Sequence, residues 1–91
     1  MRSGKVRFKI EPYNGEGKQK MSYKNYCVVS KEVLHNRNIS LEAKGIYALM
    51  MSVGKDNFNV KELYDLSKEE INVIDNAINE LEKLGYVTLE K

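Results

Sequence analysis

Hydrophobic positions recur every three or four residues through the second half of the chain, the spacing of helices that bury one face. One such segment follows Ser40, a favourable N-cap residue, and ends near Gly54. Gly45 lies inside it, where glycine costs about 1 kcal/mol relative to alanine, and we expect it to admit the close approach of another backbone. The apolar positions of this predicted helix are Ile46, Leu49, Met50 and Val53.

The longest helix is predicted over residues 67–84. Ser67 and Glu70 have the spacing of a capping box, in which each side chain satisfies a backbone N–H group at the start of the helix. Gly85 then occupies the position after a helix that favours glycine. The apolar stripe of this helix consists of Ile71, Ile74, Ala77, Ile78, Leu81 and Leu84.

Two shorter helices complete the helical pattern. Residues 31–35 form one behind an N-cap at Ser30, and residues 61–66 form the other after an extended segment at 58–60. Each is expected to bury two leucine or valine side chains: Val33 and Leu34 in the first, and Leu63 and Leu66 in the second.

The beginning of the chain alternates between apolar and basic residues, which predicts a strand with one apolar face and one cationic face over residues 5–10. Pro12 ends this strand. Residues 23–29 are rich in tyrosine and valine and predict a second strand. The two strands pair as a hairpin across the intervening glycines, or else residues 1–20 form a mobile arm. The alternating residues are Lys5, Val6, Arg7, Phe8, Lys9 and Ile10.

A third β-prone segment, residues 86–89, follows the longest helix. The order short helix, polar turn, longer helix and strand is that of a helix-turn-helix closed by a wing. The sequence therefore predicts an α+β fold: a small winged helix-turn-helix with three main helices, a short helix, an N-terminal strand or hairpin and a C-terminal wing strand. We divide the chain into residues 1–25, a basic arm or hairpin, and residues 26–91, the winged helix-turn-helix domain.

Charge is distributed unevenly, although the net charge is only +2. Residues 1–25 contain seven Lys and Arg against two Glu, a balance of +5. Residues 26–57 contain four basic and three acidic side chains, a balance of +1, and residues 58–91 contain four Lys against eight acidic side chains, a balance of −4. The chain thus combines a basic N-terminal region with an acidic C-terminal half, and any partner must fit one or both.

The sequence lacks the residue sets that most enzymes need. No phosphate loop, metal-ligand cluster or nucleophile–base set is present, so we predict no catalytic residue, no metal and no cofactor. Cys27, the only cysteine, is interpreted as a small buried hydrophobe on a strand, because a nucleophile would need a histidine partner and His35 has no carboxylate beside it. A chain of 91 residues, with no run of about 18 apolar residues and no secretory signal, indicates one cytoplasmic domain without a membrane partner.

Three stretches carry a resemblance to a known family. The first comprises residues 26–34 and 39–47, the latter with Ser-x-x-Ala-Lys-Gly-x-Tyr. The second, residues 58–63, begins the second helix, and the third, residues 77–87, contains Leu-Glu-x-x-Gly-Tyr-Val. On these stretches, which span residues 26–91, the chain resembles the winged-helix domains at the N-termini of phage and plasmid replication initiator and replisome-organiser proteins. The resemblance implies duplex DNA as ligand and replication initiation or transcriptional regulation as the setting. Family members usually continue into a second domain, so we expect either an excised domain or a small stand-alone protein.

The predicted recognition helix presents a polar row. A spacing of about 100° per residue places four side chains opposite its apolar stripe. Asparagine can bond adenine through N6 and N7, which predicts a base-reading surface; alternatively, these residues simply fill a solvated helix face. Five carboxylates share the helix and would repel phosphate, and the helix dipole, worth about 0.3–1 kcal/mol, does not offset them. The four residues of the row are Asn72, Asn76, Asn79 and Lys83.

Cations for phosphate binding must therefore come mainly from the N-terminal region, whose basic strand or arm would lie along the DNA backbone or enter the minor groove. The alternative is a solvated strand face with a solubilising tail. The candidates are Arg2, Lys5, Arg7, Lys9, Lys18, Lys20 and Lys24, with Lys61 and Lys68 near the later helices and Lys44 and Lys55 as weaker additions. Tyr13, Tyr23 and Tyr26 are candidates for stacking on exposed bases, while Tyr26, Tyr47 and Tyr86 are expected in the core or at its edge.

A second hypothesis assigns the acidic half to a protein partner. An acidic helix and wing can dock on a basic protein surface, or compete for a groove that was built for DNA. This alternative covers a replisome contact, a homodimer element and a phage-encoded inhibitor of a host nucleic-acid-binding enzyme. Its interaction residues are Glu69, Glu70, Asp75 and Glu80.

Overall fold

The computed structural model describes residues 4–9, 24–53 and 57–90. Within these ranges the chain forms four helices and an antiparallel sheet of three strands, which confirms the α+β class and agrees with a winged-helix layout. In chain order the elements are β1 (Lys5–Phe8), α1 (Lys31–Leu34), α2 (Leu41–Val53), β2 (Asn57–Asn59), α3 (Val60–Asp65), α4 (Ile71–Lys83) and β3 (Val87–Glu90).

The N-terminal strand β1 is the central strand of the sheet, between β2 and β3. Val6 lies opposite Phe58 on one side and Leu89 on the other. The predicted alternation is confirmed over the described strand, because Val6 and Phe8 are buried whereas Lys5 and Arg7 are exposed. Ile10, the last residue of the predicted strand, lies outside the described residues.

The predicted hairpin between residues 5–10 and 23–29 is wrong. Both edges of β1 are occupied by β2 and β3, and in the described part of 23–29 only Cys27 makes an isolated bridge. The alternative of a mobile arm is also wrong for Lys5–Phe8, since this strand contributes to the core. Alternation identifies a strand but not its partner, and here the partners are distant in sequence. The proposed glycine turn lies outside the described residues.

Helix α2 begins as the sequence predicts. The Ser40 hydroxyl accepts a hydrogen bond from the Ala43 N–H group at 3.1 Å, and Ile46 and Met50 are buried. The expectation for Gly45 is wrong: a Cβ atom built on this residue would have no neighbour within 4 Å. Among the described residues, none lies within contact distance of this Cβ position, so the glycine leaves an open space beside the helix.

The predicted capping box at the start of α4 is wrong. The helix begins at Ile71 with Glu70 as its N-cap, and no side chain caps it. The Ser67 hydroxyl instead donates to the Leu63 carbonyl at 2.7 Å, so it serves the end of α3. A reciprocal contact of the capping-box type occurs at α3, where the Glu62 carboxylate accepts from the Asn59 N–H group at 2.8 Å.

The end of α4 follows the prediction. Gly85 has a φ of 88°, a conformation that favours glycine because it has no Cβ atom. The Gly85 N–H group donates to the Glu82 carbonyl at 3.1 Å, and the Tyr86 N–H group donates to the Leu81 carbonyl at 2.9 Å. These two bonds form a Schellman motif, which ends the helix and directs the chain into β3.

The core joins the buried face of the sheet to α2, α3 and α4. Phe8 packs edge-to-face against Tyr47, with ring centroids 5.5 Å apart, and Tyr47 contacts Tyr86 in the same manner. Burial and the neighbouring Tyr86 raise the pKa of Tyr47. The interpretation of Tyr47 and Tyr86 as core or edge residues is therefore confirmed. Cys27 is half-buried against the core, although it lies on an isolated bridge rather than a strand.

Several leucine, isoleucine and tyrosine side chains are more exposed than the sequence indicates. Leu34 is the last residue of α1, and Leu66, which is 53% exposed, follows the last residue of α3. Both residues lie at the end of a helix, where burial depends on whether another element covers the side chain. Ile71 and Leu84, at the ends of the α4 stripe, are exposed for the same reason, and Tyr26 is 65% exposed rather than part of the core.

Candidate nucleic-acid interface

The solvent face of α4 carries the predicted polar row. Its opposite face is buried through Ile74, Ala77, Ile78 and Leu81, which fixes the rotation of the helix. All four members of the row are exposed, as the helical period predicts. They are Asn72, Asn76, Asn79 and Lys83.

Two carboxylates beside this row are engaged inside the domain. Glu80 accepts hydrogen bonds from the Ser40 N–H group and the Ser40 hydroxyl, both at 2.6 Å. Asp75, on the other side of α4, accepts from the Tyr64 hydroxyl of α3. Both acids are half-buried and join α4 to the two neighbouring helices. The other two acidic residues assigned to a protein partner, Glu69 and Glu70, are exposed.

The contact between Glu80 and Ser40 leads to a stability prediction. Glu80→Ala should lower the free energy of unfolding by about 1.5–3 kcal/mol, because two charge-assisted hydrogen bonds at the start of α2 are lost. Urea denaturation followed by circular dichroism measures this change. Glu82→Ala is the matched control, since Glu82 is exposed on the same helix, and its effect should stay within about 0.5 kcal/mol. Equal losses for the two variants would contradict the structural role of Glu80.

The exposed charges differ between the two ends of α4. Glu69 and Glu70 immediately precede the first residue of the helix and are exposed, whereas Lys83 is its last residue. Glu82 is also exposed at this C-terminal end, and Lys68 is exposed before Glu69. The C-terminal end of α4 is therefore the less acidic of the two and the better one for approaching DNA.

The residue that follows β1, Lys9, lies close to the C-terminal end of α4. The Lys9 N–H group donates to the Tyr86 carbonyl at 3.0 Å, which places Lys9 just beyond the end of α4. Lys5 and Arg7 point to the same solvent face of the sheet. Arg7 forms an ion pair with Glu90 of β3 at 3.4 Å, so part of its charge is neutralised within the domain.

The other predicted DNA-binding cations are placed less favourably or are not described. Lys61 pairs with Asp65 within α3 at 3.3 Å. Lys68 is exposed in the connection between α3 and α4, and Lys24 is exposed before α1. Arg2, Lys18 and Lys20 lie outside the described residues, as do Tyr13 and Tyr23.

A groove between α2 and α4 was not predicted from the sequence. Its volume is about 460 Å³, and its apolar lining includes Leu41, Gly45, Leu49, Val73 and Ala77. We refer to it as the α2–α4 groove. A signal was present in the sequence: Leu41, Gly45 and Leu49 are spaced four residues apart, so they share one side of α2. That side borders the stripe that predicts the core, and Leu49 belongs to both.

Metal ligands and membrane spans were also considered for the described part of the chain. Residues 4–9, 24–53 and 57–90 contain no group of three His, Cys, Asp or Glu side chains that could hold a metal ion. Within the same ranges, no helix combines the length and apolar character needed to cross a bilayer.

The fold and surface together define a small α+β domain with a winged-helix layout, an exposed asparagine row on α4 and a strand with an exposed cationic face that ends near the C-terminal end of α4. Comparison with protein-family models, with curated proteins and with solved structures finds no match.

Proposed function

We propose that this protein is a DNA-binding winged-helix protein of a phage or mobile element that acts in replication initiation or transcriptional regulation. The observation that supports this proposal best is the solvent face of α4, where Asn72, Asn76 and Asn79 are exposed in one row. Asparagine side chains bond adenine bidentately in the major groove, which admits a helix. The resemblance of residues 26–91 to replication-initiator winged helices points to the same ligand.

The hydrogen bonds of α4 weaken the electrostatic objection to this proposal. Five acidic residues lie in or directly before the helix, but Asp75 and Glu80 turn into the domain and accept hydrogen bonds from α3 and α2. Their charge remains, but both carboxylates are engaged by hydroxyl groups of the neighbouring elements. The exposed acids that remain nearest to the start of the row are Glu69 and Glu70.

Phosphate contacts are assigned to the cationic strand face. Lys5 is exposed on β1 and Lys9 is exposed just after it, where the Lys9 N–H group bonds the Tyr86 carbonyl beyond the end of α4. In this proposal, a duplex that meets Asn79 and Lys83 reaches Lys9 first and continues along the exposed face of β1. Base contacts from α4 would then specify the sequence, and phosphate contacts from β1 would supply affinity.

The first experiment selects duplexes that the full chain binds from a randomised pool, and then measures fluorescence anisotropy with a selected and an unrelated duplex over a salt series. Asn76→Ala should weaken binding to the selected duplex by roughly 5- to 100-fold, because a bidentate base contact contributes about 1–3 kcal/mol of discrimination. Binding to the unrelated duplex should change little, since phosphate contacts dominate it.

Asn38→Ala is the matched control, because Asn38 is an exposed asparagine in the turn before α2. It should bind both duplexes as the unchanged chain does. The DNA-binding proposal fails if no sequence is enriched and no salt-dependent duplex affinity is found at low ionic strength.

A further inference from the structure

We propose that the α2–α4 groove is a second binding surface, which receives a helical segment of a partner protein with large apolar side chains on one face and lysine or arginine beside them. This proposal does not depend on DNA binding, because the groove lies beside the asparagine row rather than on it. Helix-in-groove recognition uses apolar side chains spaced one turn apart on the bound helix.

The shape of the groove fits such a segment. Leu41 and Leu49 lie one turn before and one turn after Gly45, so the missing side chain at Gly45 opens a notch between two leucines. Val73 and Ala77, also one turn apart, form the opposite wall on α4. The volume of about 460 Å³ is large enough for more than one partner side chain.

The groove also exposes apolar surface that a partner would cover. Leu41 is 82% exposed, the largest exposed fraction among the described large hydrophobic residues. A single exposed leucine is ordinary on a protein surface. Here, however, it continues into the half-buried side chains of Leu49 and Val73, so the apolar area is contiguous. Covering this area would favour association.

The charged residues of the groove indicate the charge that a partner should carry. Glu42 and Glu69 line the groove, and both are exposed without an ion pair within the described part of the chain. Glu42 and Glu80 also line the continuation of the groove toward Asn76. Neither part is lined by a described lysine or arginine. A cationic helix is therefore complementary to this surface, whereas an acidic helix or a DNA backbone would be repelled by it.

Gly45 allows the groove to be blocked without damage to the fold. A Cβ atom at this position would meet nothing within 4 Å, and leucine is a better helix former than glycine. Gly45→Leu should fill the notch while α2 keeps or gains stability. Ser52→Leu is the matched control, since Ser52 is exposed two turns later on a similar side of α2 and does not line the groove.

The probe is a fluorescein-labelled model peptide of about 18 residues, long enough to form a helix, with leucine at i, i+3, i+4 and i+7 and lysine at the flanking positions. We expect the full chain to bind it at low salt. Gly45→Leu should weaken its affinity by about tenfold or more, because one buried leucine contact is lost. Ser52→Leu should bind the peptide as the unchanged chain does.

A charge test accompanies the shape test. The double variant Glu42→Gln and Glu69→Gln should weaken peptide binding several-fold and flatten its salt dependence. Glu32→Gln with Glu82→Gln removes the same charge from exposed sites outside the groove lining and should have no such effect. A peptide with glutamate in place of lysine should bind much more weakly than the lysine peptide.

Several results would overturn this inference: no binding of the lysine peptide, equal binding of the glutamate peptide, or unchanged binding by Gly45→Leu. Analytical ultracentrifugation tests for one more contrary result, which is self-association through the groove. If the unchanged chain self-associates and Gly45→Leu abolishes this association, a second copy occupies the groove and the proposed partner is wrong. Loss of duplex affinity in Gly45→Leu, with peptide binding intact, would assign the groove to DNA instead.

Discussion

Replacing Phe8 with alanine is expected to lower the free energy of unfolding by about 3–5 kcal/mol, the usual loss for a buried phenylalanine. Phe8 is 6% exposed, and its ring packs edge-to-face against Tyr47 and Phe58, with centroid distances of 5.5 and 6.3 Å. This loss is a large part of the total of about 5–15 kcal/mol that stabilises a typical domain. Urea denaturation monitored by far-UV circular dichroism measures it directly.

Arg7→Ala is the control for this prediction, because Arg7 is the preceding residue of β1 and faces solvent. Its only described ion pair, with Glu90, is an exposed one and should contribute at most about 1 kcal/mol. If Phe8→Ala were as stable as the unchanged chain, β1 would not be the central strand, and the mobile-arm interpretation of the N-terminal residues would be restored.

Neutralising the cationic face of β1 is expected to reduce duplex affinity by about 10- to 100-fold at low salt. The variant replaces Lys5, Arg7 and Lys9 with glutamine. Each lost phosphate contact should also reduce the slope of log K against log salt by about 0.9, and we expect a total reduction of about two. Arg7 should contribute least, since its guanidinium is already paired with Glu90. Fluorescence anisotropy over a salt series measures both quantities.

Lys31→Gln controls for the loss of positive charge, because Lys31 is an exposed residue of α1, outside the sheet. Thermal unfolding should show that the triple variant remains folded, as its three side chains are exposed. An unchanged affinity and salt slope in the triple variant would show that the phosphate contacts are made elsewhere on the chain.

The helices and their buried faces could be predicted well from the sequence, because local periodicity determines them. The stripe of Ile74, Ala77, Ile78 and Leu81 is buried as the helical period indicates. The stop at Gly85 is confirmed because a positive φ is a local requirement that glycine meets at little cost. Errors occur where helices end, since burial there depends on whether another element covers the side chain, as the exposed Leu34 and Leu66 illustrate.

The roles of helix-capping residues and of glycines within helices are harder to predict from the sequence, because one residue type can serve several purposes. Ser67 has the spacing of a capping residue for α4, but its hydroxyl bonds the Leu63 carbonyl of the preceding helix. Gly45 was interpreted as a site of close packing and proved to border an open groove. A glycine in a helix has no side chain, whether a neighbouring backbone packs against it or a groove lies beside it. Only the positions of the neighbouring elements distinguish these two arrangements.

The candidate interface also combines features that the sequence predicts with features that it does not. The exposure of Asn72, Asn76 and Asn79 follows from helical geometry and was predicted. Two hydrogen bonds of α4 could not be predicted from the sequence. Glu80 bonds Ser40, which is far away in the chain, and Asp75 bonds Tyr64, which belongs to a different helix. These tertiary contacts change the interpretation of α4, since they reduce the number of acidic side chains that face solvent.

The central position of β1 also has a consequence for the order of folding. Arg7 and Glu90, which meet across the sheet, are separated by 83 positions in the chain. On the ribosome, β1 is synthesised well before β3, so Val6 and Phe8 lack a complete sheet until β3 has been made. Closing such a long loop is entropically costly and slows folding. The helices can therefore form early, while assembly of the sheet is the late step that completes the domain.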